Sequence, residues 1–145
     1  MGDFFQGKNE RTVDGRHYVK YLDLNKWYCI VVPKDQTAYD EMCDYKVWDA
    51  EKGDVRDIYW SMKFHEDTYC LMEKYLFNFI DAECNLLINM YEEEWIEDNN
   101  LTKTLEITDR MISNSDNEGF IELAKEFRKL VIKAIENNTC VGCFF

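Results

Sequence analysis

The chain is 145 residues long, with 46% hydrophobic residues, 15% aromatic residues and a formal net charge of −12 at pH 7. This length and hydrophobic content predict a single domain over residues 1–145 with its own core, and they exclude a disordered acidic tail. The negative charge disfavours direct binding to nucleic acid, because it would repel the phosphates.

The N-terminus and the cysteines indicate a cellular compartment. The opening stretch, MGDFFQGKNER, lacks the apolar run of a signal peptide, and Gln6 stands where a myristoylation signal has Ser or Thr. The longest nearly uncharged stretch, YLFNFI, is too short to cross a bilayer. We therefore predict a cytoplasmic protein that does not bind membranes, with its cysteines kept as reduced thiols. The cysteines are Cys29, Cys43, Cys70, Cys84, Cys140 and Cys143.

The N-terminal part of the chain predicts a hairpin. Residues 1–15 are expected to be irregular, and β-branched and aromatic residues then favour strands at 17–24 and 27–32, joined by a two-residue turn. Pairing across this turn would give sensible neighbours on both faces of the hairpin. The predicted pairs are Leu24–Trp27, Leu22–Cys29 and Tyr21–Ile30.

A helix and a third strand are expected next. Residues 35–53 have apolar side chains at helical spacing, with Asp35 as the N-cap and Gly53 at the end. Apolar and polar residues then alternate within 55–64, which favours a strand, with a helix as the alternative. The apolar stripe of the helix consists of Ala38, Met42, Tyr45 and Trp48.

The clearest predicted element is a long helix from about Thr68 to Glu97. At 100° steps its polar residues fall into one narrow stripe, and most of the remaining circumference is apolar through Ile88. A helix with so little polar surface is usually enclosed by other elements, so we predict that it is the central helix of the domain. The polar stripe consists of Lys74, Asn78, Asp81, Asn85, Asn89 and Glu92.

Two further helices and an irregular tail complete the chain. Leu101, Leu105, Thr108, Met111 and Ile112 share one face of the first helix. The second is expected to begin at a capping box of Ser115 and Glu118 and to run to about Asn137, with an irregular tail over 138–145. The whole pattern predicts an α+β fold, in which a small antiparallel β-sheet near the N-terminus packs on a mainly helical C-terminal half with one long central helix.

The negative charge is concentrated in the middle of the chain. Residues 1–34 contain six basic and four acidic residues, whereas residues 35–98 contain five basic and eighteen acidic residues. Residues 66–98 hold ten acids, and Lys74 is their only base. A dense negative surface attracts a basic protein and accelerates the encounter through long-range steering.

The stretch YEEEWIEDNN, residues 91–100, is the candidate partner-binding segment. At the C-terminal end of the predicted long helix, its carboxylates would oppose the helix macrodipole at a cost of about 0.3–1 kcal/mol each. A cationic partner would explain the arrangement, with aromatic anchors inside a charged rim, whereas the alternative is an ordinary solvated helix end. The candidate contact residues are Tyr91, Glu92, Glu93, Glu94, Trp95, Glu97 and Asp98.

One short motif has a chemical association, namely CVGC from Cys140 to Cys143. A CxxC pair supplies half of a zinc site or a redox couple, but the sequence contains no second CxxC and no HxxxH. The HED triplet from His65 to Asp67 has no marked nucleophile beside it, and His17 is the only other histidine. Because no phosphate-binding loop or GxSxG elbow is present, we predict no cofactor.

These patterns favour a non-enzymatic acidic inhibitor that covers a basic site on another protein, such as a nuclease toxin or a nucleic-acid-binding effector. In general profile the whole chain is similar to the small acidic immunity proteins of bacterial toxin systems and to phage-encoded inhibitors of host defence, and no motif carries this similarity. The alternatives are a small metal- or thiol-dependent protein that uses Cys140 and Cys143, and an enzyme without a readable motif.

Overall fold

A computed structural model describes residues 28–88 and 93–145 of the chain. A four-stranded antiparallel sheet and a mostly helical C-terminal half confirm the predicted α+β class. One strand lies within 55–64, which confirms the strand interpretation of that segment over the helix alternative. Among the described residues, no helix combines the length and the apolar character that crossing a membrane requires. In chain order the elements are β1 (Tyr28–Pro33), α1 (Gln36–Cys43), β2 (Trp48–Asp49), β3 (Asp54–Val55), β4 (Tyr59–Phe64), α2 (Glu66–Met72), a π-helical turn (Glu73–Phe77), α3 (Asn78–Cys84), β5 (Glu93–Ile96), α4 (Asn99–Asn114), α5 (Glu118–Asn137) and β6 (Val141–Phe144).

The main sheet has the strand order β4-β1-β6-β5, and every neighbouring pair is antiparallel. β1 confirms the strand predicted at 27–32. Its residue Ile30 pairs with Met62 of β4 on one side and with Cys143 of β6 on the other. Both edges of β1 are therefore paired with strands other than the predicted hairpin partner. That predicted partner, residues 17–24, lies outside the described residues. The pairing predicted for Ile30 is not the one observed.

Both faces of the sheet are covered, and all six residues of β1 are buried. On one face, Ile30 joins the main core, which includes residues of α2, α3 and α5. On the other face, Val31 packs in a smaller cluster with Ala38 and Met42 of α1. A side-chain Cβ at Gly142 would lie 2.8 Å from the Met42 sulfur, so the glycine allows α1 to approach β6 closely. A strand covered on both faces is apolar throughout, as CIVV is in β1.

The long central helix is shorter than predicted. Helical structure runs from Glu66 to Cys84 through α2, the π-helical turn and α3. Asn85 then adopts a left-handed conformation with φ 58°, which is a common way to end a helix. The prediction of a helix as far as Glu97 is wrong beyond Cys84, because Glu93–Ile96 pairs with β6 as a strand. The carboxylates of this segment do not lie at a helix C-terminus, so the macrodipole does not oppose them.

α1 is also shorter than the helix predicted over 35–53. Asp35 caps it as expected, because its Oδ1 accepts a hydrogen bond from the Ala38 N–H at 2.9 Å. The helix stops after eight residues, and Tyr45, with a left-handed φ of 63°, turns the chain away. Trp48 therefore lies in β2 rather than on a helical stripe.

α4 and α5 occupy the predicted regions, but the cap of α5 and the tail differ from the predictions. Asn117 is the N-cap of α5, since its Oδ1 accepts a hydrogen bond from the Phe120 N–H at 3.0 Å. The predicted capping box is wrong, because the Ser115 hydroxyl instead accepts from the Asn117 N–H at 3.1 Å. Residues 138–145, predicted as irregular, contain β6, which pairs with β1 on one side and β5 on the other.

Candidate functional site

The acidic segment forms β5 and the turn that follows it. β5 is an edge strand and, within the described residues, pairs only with β6. Ile96 is fully buried in the main core, whereas Glu93 is exposed. Trp95 is half-buried, with its ring centroid 5.1 Å from that of Phe144. Two of the predicted contact residues lie outside the described residues, namely Tyr91 and Glu92.

Three adjoining depressions follow this edge, and we call them together the acidic groove. The largest, of about 500 Å³, is lined by Cys43, Tyr45, Glu93, Glu94, Trp95 and Glu97. The second, of about 310 Å³, shares Trp95 and Glu97 with the first and adds Asp98, Asn99 and Asn100. The third, of about 190 Å³, shares Glu97 and Asp98 with the second and adds Gln36, Tyr39, Asn138, Thr139 and Cys140. The groove thus joins α1, β5 and the connection between α5 and β6.

The acidic groove carries negative charge that the described part of the chain does not compensate. Among the described residues, its lining contains four carboxylates and no lysine or arginine. Across residues 28–88 and 93–145, none of these four carboxylates forms an ion pair with a basic side chain. Acids elsewhere do form such pairs: the Glu41 carboxylate, for example, lies 2.5 Å from the Arg56 guanidinium. This negative charge is therefore available to a cation from outside the molecule. The four carboxylates belong to Glu93, Glu94, Glu97 and Asp98.

Two of these carboxylates also hold the local structure. Glu94 Oε2 accepts a hydrogen bond from the Leu87 N–H at 2.9 Å, which ties the loop after α3 to β5. Glu97 Oε2 accepts a hydrogen bond from the Tyr39 hydroxyl at 3.0 Å, which joins α1 to the end of β5. Burial, together with the hydrogen bond and charge of Glu97, raises the pKa of Tyr39 well above its usual range, so the phenol remains the donor. The other two carboxylates of the groove are exposed.

Two residues of the acidic groove have strained backbone conformations. Asp98 has φ 54° and ψ −127°, in a turn closed by the Asn100 N–H and the Glu97 carbonyl at 3.0 Å. This is the type II′ position that glycine favours. Tyr45 has φ 63° directly after the C-cap of α1, where glycine is also usual. Such conformations cost on the order of 1–3 kcal/mol each and cluster at functional sites. The other positive-φ residues in the described ranges are of types that suit it: Gly53, Asn85 and Asn138.

Asp81, on α3, has an unusual environment beside the acidic groove. Its Oδ1 accepts a hydrogen bond from the Ile88 N–H at 2.8 Å, next to the N–H that Glu94 holds. Burial, together with the charges of Glu94 and Glu73, raises the pKa of Asp81 from 3.8 to about 6, against the opposing effect of the Ile88 hydrogen bond. Ionised Asp81 is therefore a destabilising charge at neutral pH.

Asp81→Asn is expected to raise the melting temperature at neutral pH and to have little effect near pH 4. Because the folded protein holds the Asp81 proton more tightly than the unfolded chain does, this residue lowers stability as the pH rises from about 4 to about 6. Asparagine keeps an oxygen acceptor for the Ile88 N–H and carries no charge. Thermal unfolding followed by circular dichroism over this pH range measures the effect. The exposed Asp116→Asn is the control, and a constant difference between Asp81→Asn and the wild type at all pH values would contradict the expectation.

The CVGC cysteines are core residues on opposite faces of the sheet. Cys140 packs in the cluster with Met42, whereas Cys143 lies in the main core, and both are almost completely buried. Side chains three positions apart in extended chain point to opposite faces, so the two sulfurs do not converge on one metal ion or one disulfide. Burial raises the pKa of both thiols well above its usual range, which disfavours the reactive thiolate. Within the described ranges, no three His, Cys, Asp or Glu side chains are grouped to hold a metal.

The histidine triplet does not join the acidic groove. His65 is half-buried immediately before α2, and Glu66 and Asp67 are exposed in its first turn. None of the three lines the groove. His17 lies outside the described residues.

Some residues of the acidic groove have no signal in the sequence. Tyr39 lies 58 residues before Glu97, yet their side chains are hydrogen-bonded. Tyr45 is 63% exposed, although the helical pattern predicted it on a buried stripe. Only tertiary packing of α1 against the sheet brings them beside β5.

Comparison with known proteins gives no information on this groove, so its interpretation depends on the chemistry of its residues. The chain matches no protein-family model, no curated protein and no solved structure.

Proposed function

We propose that this chain is a non-enzymatic acidic inhibitor that binds a basic protein partner through the acidic groove. The partner would be a nuclease or a nucleic-acid-binding protein, whose phosphate-binding surface is rich in lysine and arginine. Immunity proteins and phage-encoded inhibitors of host defence act in this general way. One observation carries the proposal: four carboxylates that pair with no basic side chain of the described residues line an open groove that also presents aromatic side chains.

The pattern of ion pairs supports a positively charged ligand. The chain uses its own basic residues to pair acids elsewhere, as Lys129 does with Glu126 at 3.1 Å and Arg128 with Asp109 at 2.5 Å. The groove receives no such pairing from the described residues, so its carboxylates repel one another. A basic partner relieves this repulsion and is steered to the groove over distances of about 8–10 Å at ordinary ionic strength.

Two aromatic residues give the acidic groove candidate anchors. Trp95 is held against Phe144, so its ring is already ordered before a partner arrives. Tyr45 is 63% exposed and has a strained backbone, and its side chain lines the same depression. Binding energy at protein interfaces concentrates on such aromatic residues inside a polar rim.

The acids of β5 also protect an open sheet edge. Charged side chains on a short edge strand hinder pairing with strands of other molecules. Lysine protects an edge as well as glutamate does. Replacing glutamate with lysine therefore keeps the edge charged and reverses only the sign that a basic partner would recognise.

The decisive experiment is the double charge reversal Glu93→Lys with Glu97→Lys. Glu94 stays unchanged, because its carboxylate holds the Leu87 N–H. Glu97→Lys removes the acceptor of the Tyr39 hydroxyl, so the fold of the variant has to be verified beside its binding. We expect the variant to lose capture of the basic partner from a lysate of the native host, whereas the wild type captures a nucleic-acid-binding protein that added duplex DNA or RNA displaces.

The matched control reverses two exposed acids of α5, Glu122→Lys with Glu136→Lys, which changes the net charge equally. The control should retain capture, and thermal unfolding should show that both variants are folded. Recovery of the same partner by wild type and groove variant in equal amounts would rule out this surface as the interface.

A further inference from the structure

The third depression of the acidic groove is a small pocket with an unusual balance of hydrogen-bonding groups. We call it the end pocket, and its volume is about 190 Å³. This is below the roughly 300–1,000 Å³ typical of sites for drug-sized ligands, so its size suits one side chain. Its polar lining comes from α1, from the turn after β5 and from the connection between α5 and β6, as Gln36, Tyr39, Glu97, Asp98, Asn138 and Thr139.

Three hydrogen-bond donors of the end pocket are already committed to acceptors of the chain. Gln36 Nε2 donates to Asp40 Oδ1 at 2.9 Å. The Tyr39 hydroxyl donates to Glu97 Oε2 at 3.0 Å, and the Thr139 hydroxyl donates to the Pro33 carbonyl at 2.8 Å. Gln36 keeps one amide N–H and Asn138 adds an amide group, but the remaining acceptor atoms outnumber these donors. The acceptors include the amide oxygen of Gln36, the hydroxyl oxygen of Thr139, the second carboxylate oxygen of Glu97 and both carboxylate oxygens of Asp98.

A pocket that presents mainly acceptors, and two carboxylates among them, selects a ligand with several donors and a positive charge. Guanidinium has five N–H donors in a planar fork and no acceptor, whereas ammonium is a compact and strongly hydrated charge. The acceptors here come from three separate elements, so the five donors of a guanidinium can satisfy more of them than the three donors of an ammonium. Arginine therefore matches the end pocket better than lysine does.

We propose that the end pocket receives an arginine side chain of the basic partner, with its guanidinium between Glu97 and Asp98. This inference rests on the proposed function and specifies which partner side chain the groove selects. Because the Tyr39 hydroxyl holds one oxygen of Glu97, the carboxylate is positioned before the arginine enters. A preorganised acceptor loses less conformational freedom on binding.

The test titrates the full chain with N-acetyl-arginine amide, its uncharged citrulline analogue and N-acetyl-lysine amide, followed by amide chemical shifts in NMR. Saturable shifts at Asn138 and Thr139 are expected with the arginine compound. Glu97→Gln should weaken that binding at least about tenfold, the effect of one charge-assisted hydrogen bond, and keeps an oxygen for the Tyr39 hydroxyl. The exposed Glu106→Gln on α4 is the matched control and should bind as the wild type does.

The outcomes separate this inference from the proposed function. Equal shifts with the citrulline or lysine compound, or no shifts with the arginine compound, would overturn the arginine assignment even if charge reversal abolishes partner capture. Arginine-specific shifts that disappear in Glu97→Gln would show an arginine site in the end pocket, but if the groove variant still captures the partner, the arginine that occupies this site is not the partner's.

Discussion

A chain that ends at Thr139, and so lacks β6, is expected to lose the cooperative fold altogether. β6 lies between β1 and β5, and its removal leaves both strands without their shared neighbour. Val141 and Cys143 are fully buried in the main core. The net stability of a domain of this kind is only about 5–15 kcal/mol, so we expect the loss of a buried strand from the middle of the sheet to abolish the fold. Far-UV circular dichroism with thermal unfolding, and the dispersion of amide signals in NMR, measure the outcome.

The matched control removes only Phe145, which follows β6. Its ring centroid lies 5.0 Å from that of Tyr69 and 5.6 Å from that of Phe77, so this shorter chain should be less stable but still folded. A cooperative transition at the wild-type temperature in the chain that ends at Thr139 would show that β6 does not organise the sheet.

Phe77→Ala is expected to lower the free energy of unfolding by about 3–5 kcal/mol. Phe77 is fully buried, and its ring centroid is 5.8 Å from that of Phe127 on α5 and 6.1 Å from that of Tyr69 on α2. Truncation therefore leaves a cavity where the central helix meets the rest of the core. Chemical denaturation with urea, analysed at constant slope, gives the value.

Phe79→Ala is the matched control for Phe77→Ala, because it deletes the same atoms two positions further along the helical segment. Phe79 is 42% exposed, so its replacement should change the free energy of unfolding by no more than about 1 kcal/mol. Equal losses at the two positions would mean that the helical segment does not bury Phe77 in preference to Phe79. The periodicity of the sequence does not separate these residues, since most of the circumference there is apolar.

The elements that the sequence predicts correctly are those whose local pattern agrees with their final environment. CIVV in β1 is apolar throughout and is covered on both faces, and α5 has one apolar stripe against the core. Asp35 caps α1 as its residue type favours. In these cases local preference and tertiary packing give the same structure.

The errors occur where a distant partner decides the structure. Glutamate favours helices, yet Glu93 and Glu94 lie in an edge strand because they pair with β6. β6 itself has no readable period, because both of its faces are covered and Gly142 serves the close approach of Met42. Neither pairing is visible in a local window of sequence.

The candidate contact residues remain a prediction, although the structure replaces the helix end that was expected to carry them with a strand. Five of the predicted contact residues lie within the described ranges, and all five line the acidic groove: Glu93, Glu94, Trp95, Glu97 and Asp98. Charge density in the sequence located them, whatever their secondary structure. The other side of the acidic groove includes Tyr39 and Tyr45. Their position there depends on how α1 packs on the sheet, so no local sequence pattern indicates it.

The position of β6 within the sheet has a consequence for synthesis of the protein on the ribosome. The Thr139 hydroxyl donates a hydrogen bond to the carbonyl of Pro33, 106 residues earlier in the chain. β1 is therefore synthesised about as many residues before β6, the strand with which it pairs. Until Val141–Phe144 emerges from the exit tunnel, β5 lacks the strand it pairs with, and the nascent chain has not assembled its carboxylates into one surface. A growing polypeptide therefore cannot pair β5 with β6, and so cannot complete the groove, before Val141–Phe144 has left the ribosome.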